Sequence, residues 1–354
     1  MDSTTTSLDF AVIGHQDSWD NIHGFVNGLR TSSQGELSLE KVKSIFPFIP
    51  PRELFRVEVN SITGKKINGV YIDTFIEPDK LDPRHLRANI SKVQAALSTA
   101  KKLGARIVAL GGFTSIVLEG NLVEYTSDET KFTTGNTLTT AYIVNGLIKA
   151  ANQYNVKIED SELLIIGATG DIGSACVQYF KNKCKKLLLC ARNKRRLHAL
   201  SERLATEGIK NESSTSLAEL LYKADLIVCV ASSSGLAFTK CKENVIICDA
   251  GYPKNLDTKI ENNYRQIFHG GMGQVSEGFV FSPDYTDSFY QYPAPYVIHG
   301  CILEAMILAF ANKYEAYSYG KGNITLERIA EIYKLGLKHG INIAPFYNSK
   351  GLCT

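Results

Sequence analysis

Apolar residues fall along the chain in short runs that stop at glycine and alternate with amphipathic stretches, a pattern of strands interleaved with helices. Asp9–Gly14 (DFAVIG) reads as a strand ending at Gly14-His15. Thr31–Pro51 is polar, with helical spacing in LEKVKSIF, and Pro47, Pro50 and Pro51 close it. Glu53–Ile76 alternates and turns at Thr63-Gly64-Lys65, predicting a β-hairpin. Pro83–Leu103 repeats helically, with Leu86, Ile90, Val93, Leu97 and Ala100 on one face, and Arg106–Leu110 is a strand broken by Gly111-Gly112. Two polar loops follow, Gly111–Ser115 and Lys131–Thr137, the second opening onto a helix through Tyr154.

From Ser161 the alternation becomes regular. Leu163–Ile166 runs into Gly167, Gly170 and Gly173 and then a helix; Lys186–Ala191 is the next strand. Leu197–Leu204 and Leu217–Tyr222 are helical. Asp225–Ala231 is a strand ending in Ser232, Ser233, Ser234 and Gly235, and Asn244–Asp249 is a strand stopped by Ala250-Gly251-Tyr252-Pro253. Arg265–Phe268 is the last short strand of the series. Strands alternating with helices imply a parallel sheet with right-handed crossovers, and ligands then gather at the strands' C-terminal ends. Ser276–Tyr296 is rich in aromatics (Phe279, Phe281, Tyr285, Phe289, Tyr290, Tyr292, Tyr296), which suits a loop packed on the body or a wall or lid of an apolar tunnel. A helix begins at Tyr296, Leu326–His339 forms the last one, and Asn348–Thr354 is frayed. The fold class is α/β in three parts: an N-terminal α/β substrate or catalytic domain (1–155), a Rossmann-like parallel-sheet domain (156–290), and a C-terminal helical segment (291–354) that packs back.

Composition narrows the class without naming a chemistry. The 354 residues are 44% hydrophobic and 21% charged, ordinary for a globular chain long enough for two cores. A net charge of +3 gives no argument for nucleic acid. The start, MDSTTTSLDF, lacks a signal-peptide pattern, and the most apolar helix, Cys301–Ala311, is too short to span a bilayer. A cytoplasmic protein is expected. All eight cysteines follow residue 175, with no CxxC pair and no histidine at zinc-ligand spacing, so no metal site is expected. Cys190, Cys229 and Cys248 lie within apolar strand patterns and suit the core.

The stretch SELLIIGATGDIGS has the order a dinucleotide pyrophosphate requires: buried strand, glycine turn, helix N-terminus. Gly167, Thr169, Gly170, Asp171, Ile172 and Gly173 are the candidate cradle. After the next strand, an NAD-binding chain places a carboxylate for the ribose hydroxyls. Here Arg192, Asn193, Lys194, Arg195 and Arg196 stand there instead. Guanidinium groups suit a 2′-phosphate, so NADPH is expected, held by Arg192, Asn193 and Arg195 with the loop residues Ala231, Ser232, Ser233 and Gly251. In the first half, Thr134 or Asn136 caps its helix, or the donors of both polar loops face a substrate carbonyl or the nicotinamide amide. Cys301 follows His299-Gly300 at a helix start, where free N–H groups favour a thiolate, yet it shares a core stripe with Ala305 and Leu308.

The stretches AVIGH (11–15), ALGGFTSIV (109–117), KFTTGNT (131–137), IGATGDIGSA (166–175), LLLCARN (187–193), DAGYPKNLD (249–257), CILEAMILAF (301–310) and LKHG (337–340) occur in one order across nearly the whole chain. In these the sequence resembles the long-chain acyl–acyl-carrier-protein reductases of cyanobacteria, which make fatty aldehydes from acyl thioesters with NADPH. Thr31–Arg56 and Val275–Val297 depart from that pattern. The resemblance implies that Cys301, followed by Glu304 and Ala305, carries the acyl group, and that the substrate rides on acyl carrier protein or CoA, with an aldehyde-consuming enzyme downstream. Gly111, Gly112, Phe113, Thr114 and Thr133 are then candidates for the substrate oxygen, Thr134 and Asn136 for catalysis, and His15 and Lys254 for the acid. Lys181, Lys183, Lys185 and Lys186, or Lys101, Lys102 and Arg106, are carrier-docking candidates or plain solvated surface. Competing readings are a shikimate-dehydrogenase-like or glutamyl-tRNA-reductase-like enzyme, the latter disfavoured because no cysteine precedes residue 176, and an NADP-binding redox sensor.

Overall fold

Two six-stranded sheets carry the molecule, and in both the parallel strands present their C-terminal ends to one cleft. The computed structural model describes residues 8–81, 83–117, 129–233, 235–238, 240–252, 254–256, 266–286, 292–320 and 322–353. Ser234, Pro253, Arg265, Phe289, Tyr290 and Thr354, each invoked above, lie outside the described residues.

In the first sheet, Phe10–Gly14 (β1) lies between Lys66–Asp73 (β3) and Ile107–Leu110 (β4), parallel to both. Arg52–Asn60 (β2) joins β3 as the antiparallel hairpin the alternation predicts. Lys131–Thr133 (β5) extends the sheet parallel to β4, where the sequence reads as loop; three residues carry no alternation, and the neighbouring strand supplies the pairing. Helices Trp19–Gly28 (α1) and Leu39–Ile45 (α2) precede helix Leu86–Lys102 (α3), which covers one face. Its buried stripe is Asn89, Val93, Ala96, Leu97 and Ala100, whereas Ile90, expected on that face, is exposed.

The second sheet is wholly parallel: Glu162–Ile166 (β6), Lys186–Cys190 (β7), Asn211–Ser214 (β8), Leu226–Cys229 (β9), Ile246–Asp249 (β10) and Ile267–His269 (β11). Its spatial order, β8-β7-β6-β9-β10-β11, is the doubly wound dinucleotide-binding order. β8, sequence NESS, was invisible to hydrophobic pattern because it is a half-buried polar edge. The sheet ends at His269. Phe279–Ser282 pairs antiparallel with β2 of the first sheet, so this part of 156–290 leaves the nucleotide-type layer. Phe281 and Tyr285 pack at 4.7 and 6.1 Å ring distance from Phe55, so this half of the aromatic stretch lies on the body of the protein.

Asn136–Gln153 (α4) lies between the layers and is buried on nearly every face. Gly300–Phe310 (α5) and Leu326–Lys338 (α6) pack against it, and α5 also covers the first sheet. The helix expected from Tyr296 begins at Gly300, because Val297–His299 is a strand paired with Met272–Val275. Ile341–Ile343 pairs with the other edge of Met272–Val275. The expected frayed end is instead a small hairpin, Tyr347–Asn348 with Gly351–Leu352. No helix among the described residues is long and apolar enough to cross a membrane.

Candidate active site

A cavity of about 860 Å³ runs between the layers, with the glycine turn after β6 at one end and Cys301 at the other. At the dinucleotide end, Gly167 and Ala168 donate backbone N–H to Cys190 O at 2.8 and 3.1 Å, which fixes the turn against β7. The next helix, Asp171–Phe180, has Gly170 as its N-cap and no side-chain cap, leaving first-turn N–H groups for an anion. Gly173 does not line the cavity. A Cβ there would lie 2.1 Å from Gly167 O, so this glycine permits close packing of helix on turn rather than touching phosphate.

Arg192 lines the cavity and donates from Nη2 to Ser232 Oγ at 3.1 Å, joining the turns after β7 and β9. Arg196 lines it too, whereas Arg195, the residue expected, does not. Asn193 spends its side chain as a cap, accepting the Arg196 N–H at 2.9 Å. No carboxylate stands among the cavity-lining residues beyond β7. Two cations without an acid fit the 2′-phosphate of NADPH. Ala231, Ser232, Ser233 and Gly251 complete this wall as expected. Behind them stand two residues that the sequence did not mark. The buried Asp249 carboxylate accepts N–H groups from Gly251, Asn255 and Leu256, while Asn255 Nδ2 donates to Ala231 O at 2.8 Å.

At the other end, Cys301 is the second residue of α5, half-buried on the cavity wall. Burial pushes its thiol up to about 11; backbone N–H groups of Gly112 and Ile302 pull the other way, and Glu304 one turn on adds to the rise. The expected resting thiolate is therefore corrected to a neutral thiol, because desolvation outweighs the helix start. The sulfur's position depends on Gly135. A Cβ there would lie 2.2 Å from Cys301 Cα and 2.3 Å from its carbonyl oxygen, and the residue holds φ +68°. Neither Thr134 nor Asn136 caps α4: Gly135 is the N-cap, Asn136 Nδ2 donates to Asp171 Oδ2 at 2.8 Å, and the Thr134 hydroxyl has no partner among the described residues.

Of the residues expected at the substrate oxygen, Gly111 and Gly112 line the cavity and Phe113, Thr114 and Thr133 do not. Phe113 opens a short helix, Phe113–Val117, where a loop was expected; it is buried, and Thr114 Oγ1 donates to Gly111 O at 2.8 Å. Thr133 is buried and donates to Glu304 Oε1 at 2.5 Å, while Glu304 Oε2 accepts the Leu138 N–H at 2.9 Å. Glu304, buried with its carboxyl raised by desolvation, thus ties α5 to the turn before α4.

His15 lines the cavity, accepting the Phe113 N–H at Nε2 at 3.0 Å, and burial lowers its imidazole to about 4. Lys254 also lines it and donates to Asp249 O at 3.0 Å. Tyr252 and His299, not assigned from sequence, stand beside them. The Tyr252 ring lies 5.7 Å from His15 and 5.8 Å from His299, and burial lowers His299 to about 3. Single aromatics in loops give no periodic signal; their one sequence cue is position just past a strand end or just before Cys301. No group of three or more metal-ligating side chains occurs among the described residues.

A dinucleotide cradle and a cysteine facing one cleft between two α/β layers define a nicotinamide-dependent oxidoreductase. Residues 149–269 match the family model described as shikimate / quinate 5-dehydrogenase. Over 343 residues the chain is 32% identical to the long-chain acyl-[acyl-carrier-protein] reductase of Synechococcus elongatus, covering 94% of this chain and 97% of that protein. It is 26% identical over 297 residues to aminotransferase PigE of a Serratia strain, covering 81% of this chain but only 34% of that longer protein. Among solved structures, shikimate 5-dehydrogenase from Listeria monocytogenes aligns at 11% identity and TM-score 0.39, over 76% of this chain and 87% of the other. The chain belongs to the long-chain acyl-[acyl-carrier-protein] reductase family, NADPH-dependent oxidoreductases.

Proposed function

We propose that this protein reduces a long-chain fatty acyl thioester, carried on acyl carrier protein, to the aldehyde through an acyl group held on Cys301. The observation that carries this reading is the placement of Cys301 on the same cavity wall system as the dinucleotide cradle. The Cys301 sulfur attacks the thioester carbonyl; the new C–S bond forms as the bond to the carrier sulfur breaks, and the thiol proton leaves with the carrier thiol. The N–H groups of Gly112 and Ile302 lower the cost of negative charge on the sulfur as it forms. The residues at Gly167–Ile172, with Arg192 and Arg196, would hold NADPH, which supplies the hydride when bound. Cys301 is then expelled from the reduced carbon as thiolate and regains a proton, releasing aldehyde.

The test is turnover. With palmitoyl-acyl carrier protein and NADPH, the wild type is expected to oxidise one NADPH per hexadecanal formed, and Cys301→Ser to lose at least about a thousandfold in kcat. Equal aldehyde formation by Cys301→Ser would remove the covalent step.

A further inference from the structure

His15 and Thr134 line the cavity, and each holds a shielded polar atom, His15 Nδ1 and Thr134 Oγ1, that makes no close hydrogen bond among the described residues, although the Gln16 backbone acts on the His15 ring. A buried donor left unpaired is costly, and such groups in a folded protein ask for a reason. The reason lies in how the two are held.

His15 follows β1 directly. Its Nε2 accepts the Phe113 N–H at 3.0 Å, so Nε2 carries no hydrogen and the proton sits on Nδ1. A second proton on Nε2 would face the Phe113 N–H donor to donor, and burial disfavours the cation as well. Tyr252 and Phe113 fix the ring at centroid distances of 5.7 and 6.4 Å. The edge of His15 abuts Gly112, whose N–H is drawn to the Cys301 sulfur. Thr134 is only 4% exposed, its N–H held by Ser318 O at 2.8 Å, and the next residue, Gly135, lies against the Cys301 backbone. The backbone donors at Cys301 serve the sulfur.

Resting on the covalent reading above, we infer that His15 Nδ1–H and the Thr134 hydroxyl are the oxyanion donors for the acyl carbonyl at Cys301, and that His15 donates a hydrogen bond without transferring its proton. This changes the role given to His15 by sequence from acid to neutral electrophile. Neutral imidazoles held in one tautomer polarise carbonyls in other enzymes. Negative charge gathers on that oxygen when sulfur attacks and again when the acyl carbon is reduced, so both steps use the same two donors.

The experiment measures the rate at which palmitoyl-acyl carrier protein loads Cys301 without NADPH, by quenched intact-protein mass spectrometry. NADPH affinity and iodoacetamide labelling of Cys301 are followed in parallel. His15→Ala and Thr134→Val are each expected to slow loading about 10²–10³-fold. His15→Asn, which keeps an uncharged N–H donor near Nδ1, and Thr134→Ser are expected to recover to within about tenfold of wild type. NADPH affinity and labelling should stay within about twofold. Asp17, Tyr252, His299 and the Gln16 backbone face the ring; burial outweighs the pull of Asp17 and Gln16 toward the cation, so wild-type loading shows no His15 limb between pH 5 and 8. If His15→Asn is as slow as His15→Ala, or a limb near pH 6–7 vanishes with either, proton transfer replaces this assignment. Wild-type loading rates in His15→Ala would overturn it outright. A wild type that labels with iodoacetamide yet never gains an acyl mass overturns the covalent reading itself.

Discussion

Replacing Gly135 by alanine should damage the Cys301 site and the fold together. The new Cβ would sit 2.2 Å from Cys301 Cα, more than ~1 Å inside van der Waals contact, and both atoms that it meets first are backbone. No side-chain rotation relieves this. The residue also holds φ +68°, ψ +11°, a left-handed conformation costing an L-residue roughly 1–2 kcal/mol. Overpacking of a filled interior adds about 1–3 kcal/mol, giving a destabilisation of about 2–5 kcal/mol. Shifting Cys301 by about 1 Å to make room would slow acyl loading on the order of 10²-fold. Gly208→Ala is the matched control: φ is +76° and a Cβ there meets nothing within 4 Å, so it carries the conformational cost alone. Thermal unfolding and Cys301 loading are measured on both variants. If Gly135→Ala melts with Gly208→Ala and loads at the wild-type rate, the close packing of this turn on Cys301 is refuted.

Arg192→Ala combined with Arg196→Ala is expected to weaken NADPH binding about 10–100-fold, the loss of charge-assisted bonds worth about 1.5–3 kcal/mol, while leaving NADH affinity unchanged in a fluorescence titration; equal losses for both would remove the 2′-phosphate role. With its thiol near 11, Cys301 should react with iodoacetamide about tenfold faster per pH unit from pH 7 to 10, read by peptide mass spectrometry. A rate already flat at pH 7 would restore the thiolate that the helix start alone suggests. Buried Asp73, which accepts the Phe75 N–H at 2.6 Å, has its carboxyl raised from 3.8 to about 6 by desolvation. Its folded value lies above its unfolded one, so the stability tied to its protonated form is complete below about pH 3.8 and is lost as pH rises through about 6. Asp73→Asn cannot ionise and should gain on wild type by roughly 2–3 kcal/mol between pH 3.8 and 7; urea midpoints showing no pH-dependent gain would contradict this.

The nucleotide layer was legible because its signals are local. Four apolar residues into Gly167, glycines at three-residue steps, and arginines where an acid usually stands are all visible between Leu163 and Arg196. The hairpin of β2 and β3 likewise announces itself by alternation and Thr63-Gly64-Lys65. What escaped is set by distant partners. Met272–Val275 is a strand because Val297–His299 and Ile341–Ile343 flank it, the latter nearly seventy residues on, and no pattern within four residues encodes that. Its neighbours in sequence group Thr133 with substrate donors; the fold turns it into the interior, onto Glu304. The charge state of Cys301 escapes local sequence for a related reason. Its helix start is written locally, whereas the burial that outweighs it comes from layers assembled around it. Arg196 and Arg195 differ by one residue in sequence but by nearly a third of a turn on the helix, which places only the first on the cavity.

Acylation of Cys301 tests the covalent reductase most directly. Wild type and Cys301→Ala are incubated with palmitoyl-acyl carrier protein in the absence of NADPH and weighed intact. A gain of one palmitoyl group on wild type alone, mapped to Cys301 and discharged as hexadecanal on adding NADPH, is the expected result. No gain on either protein, or an equal gain on both, would contradict it.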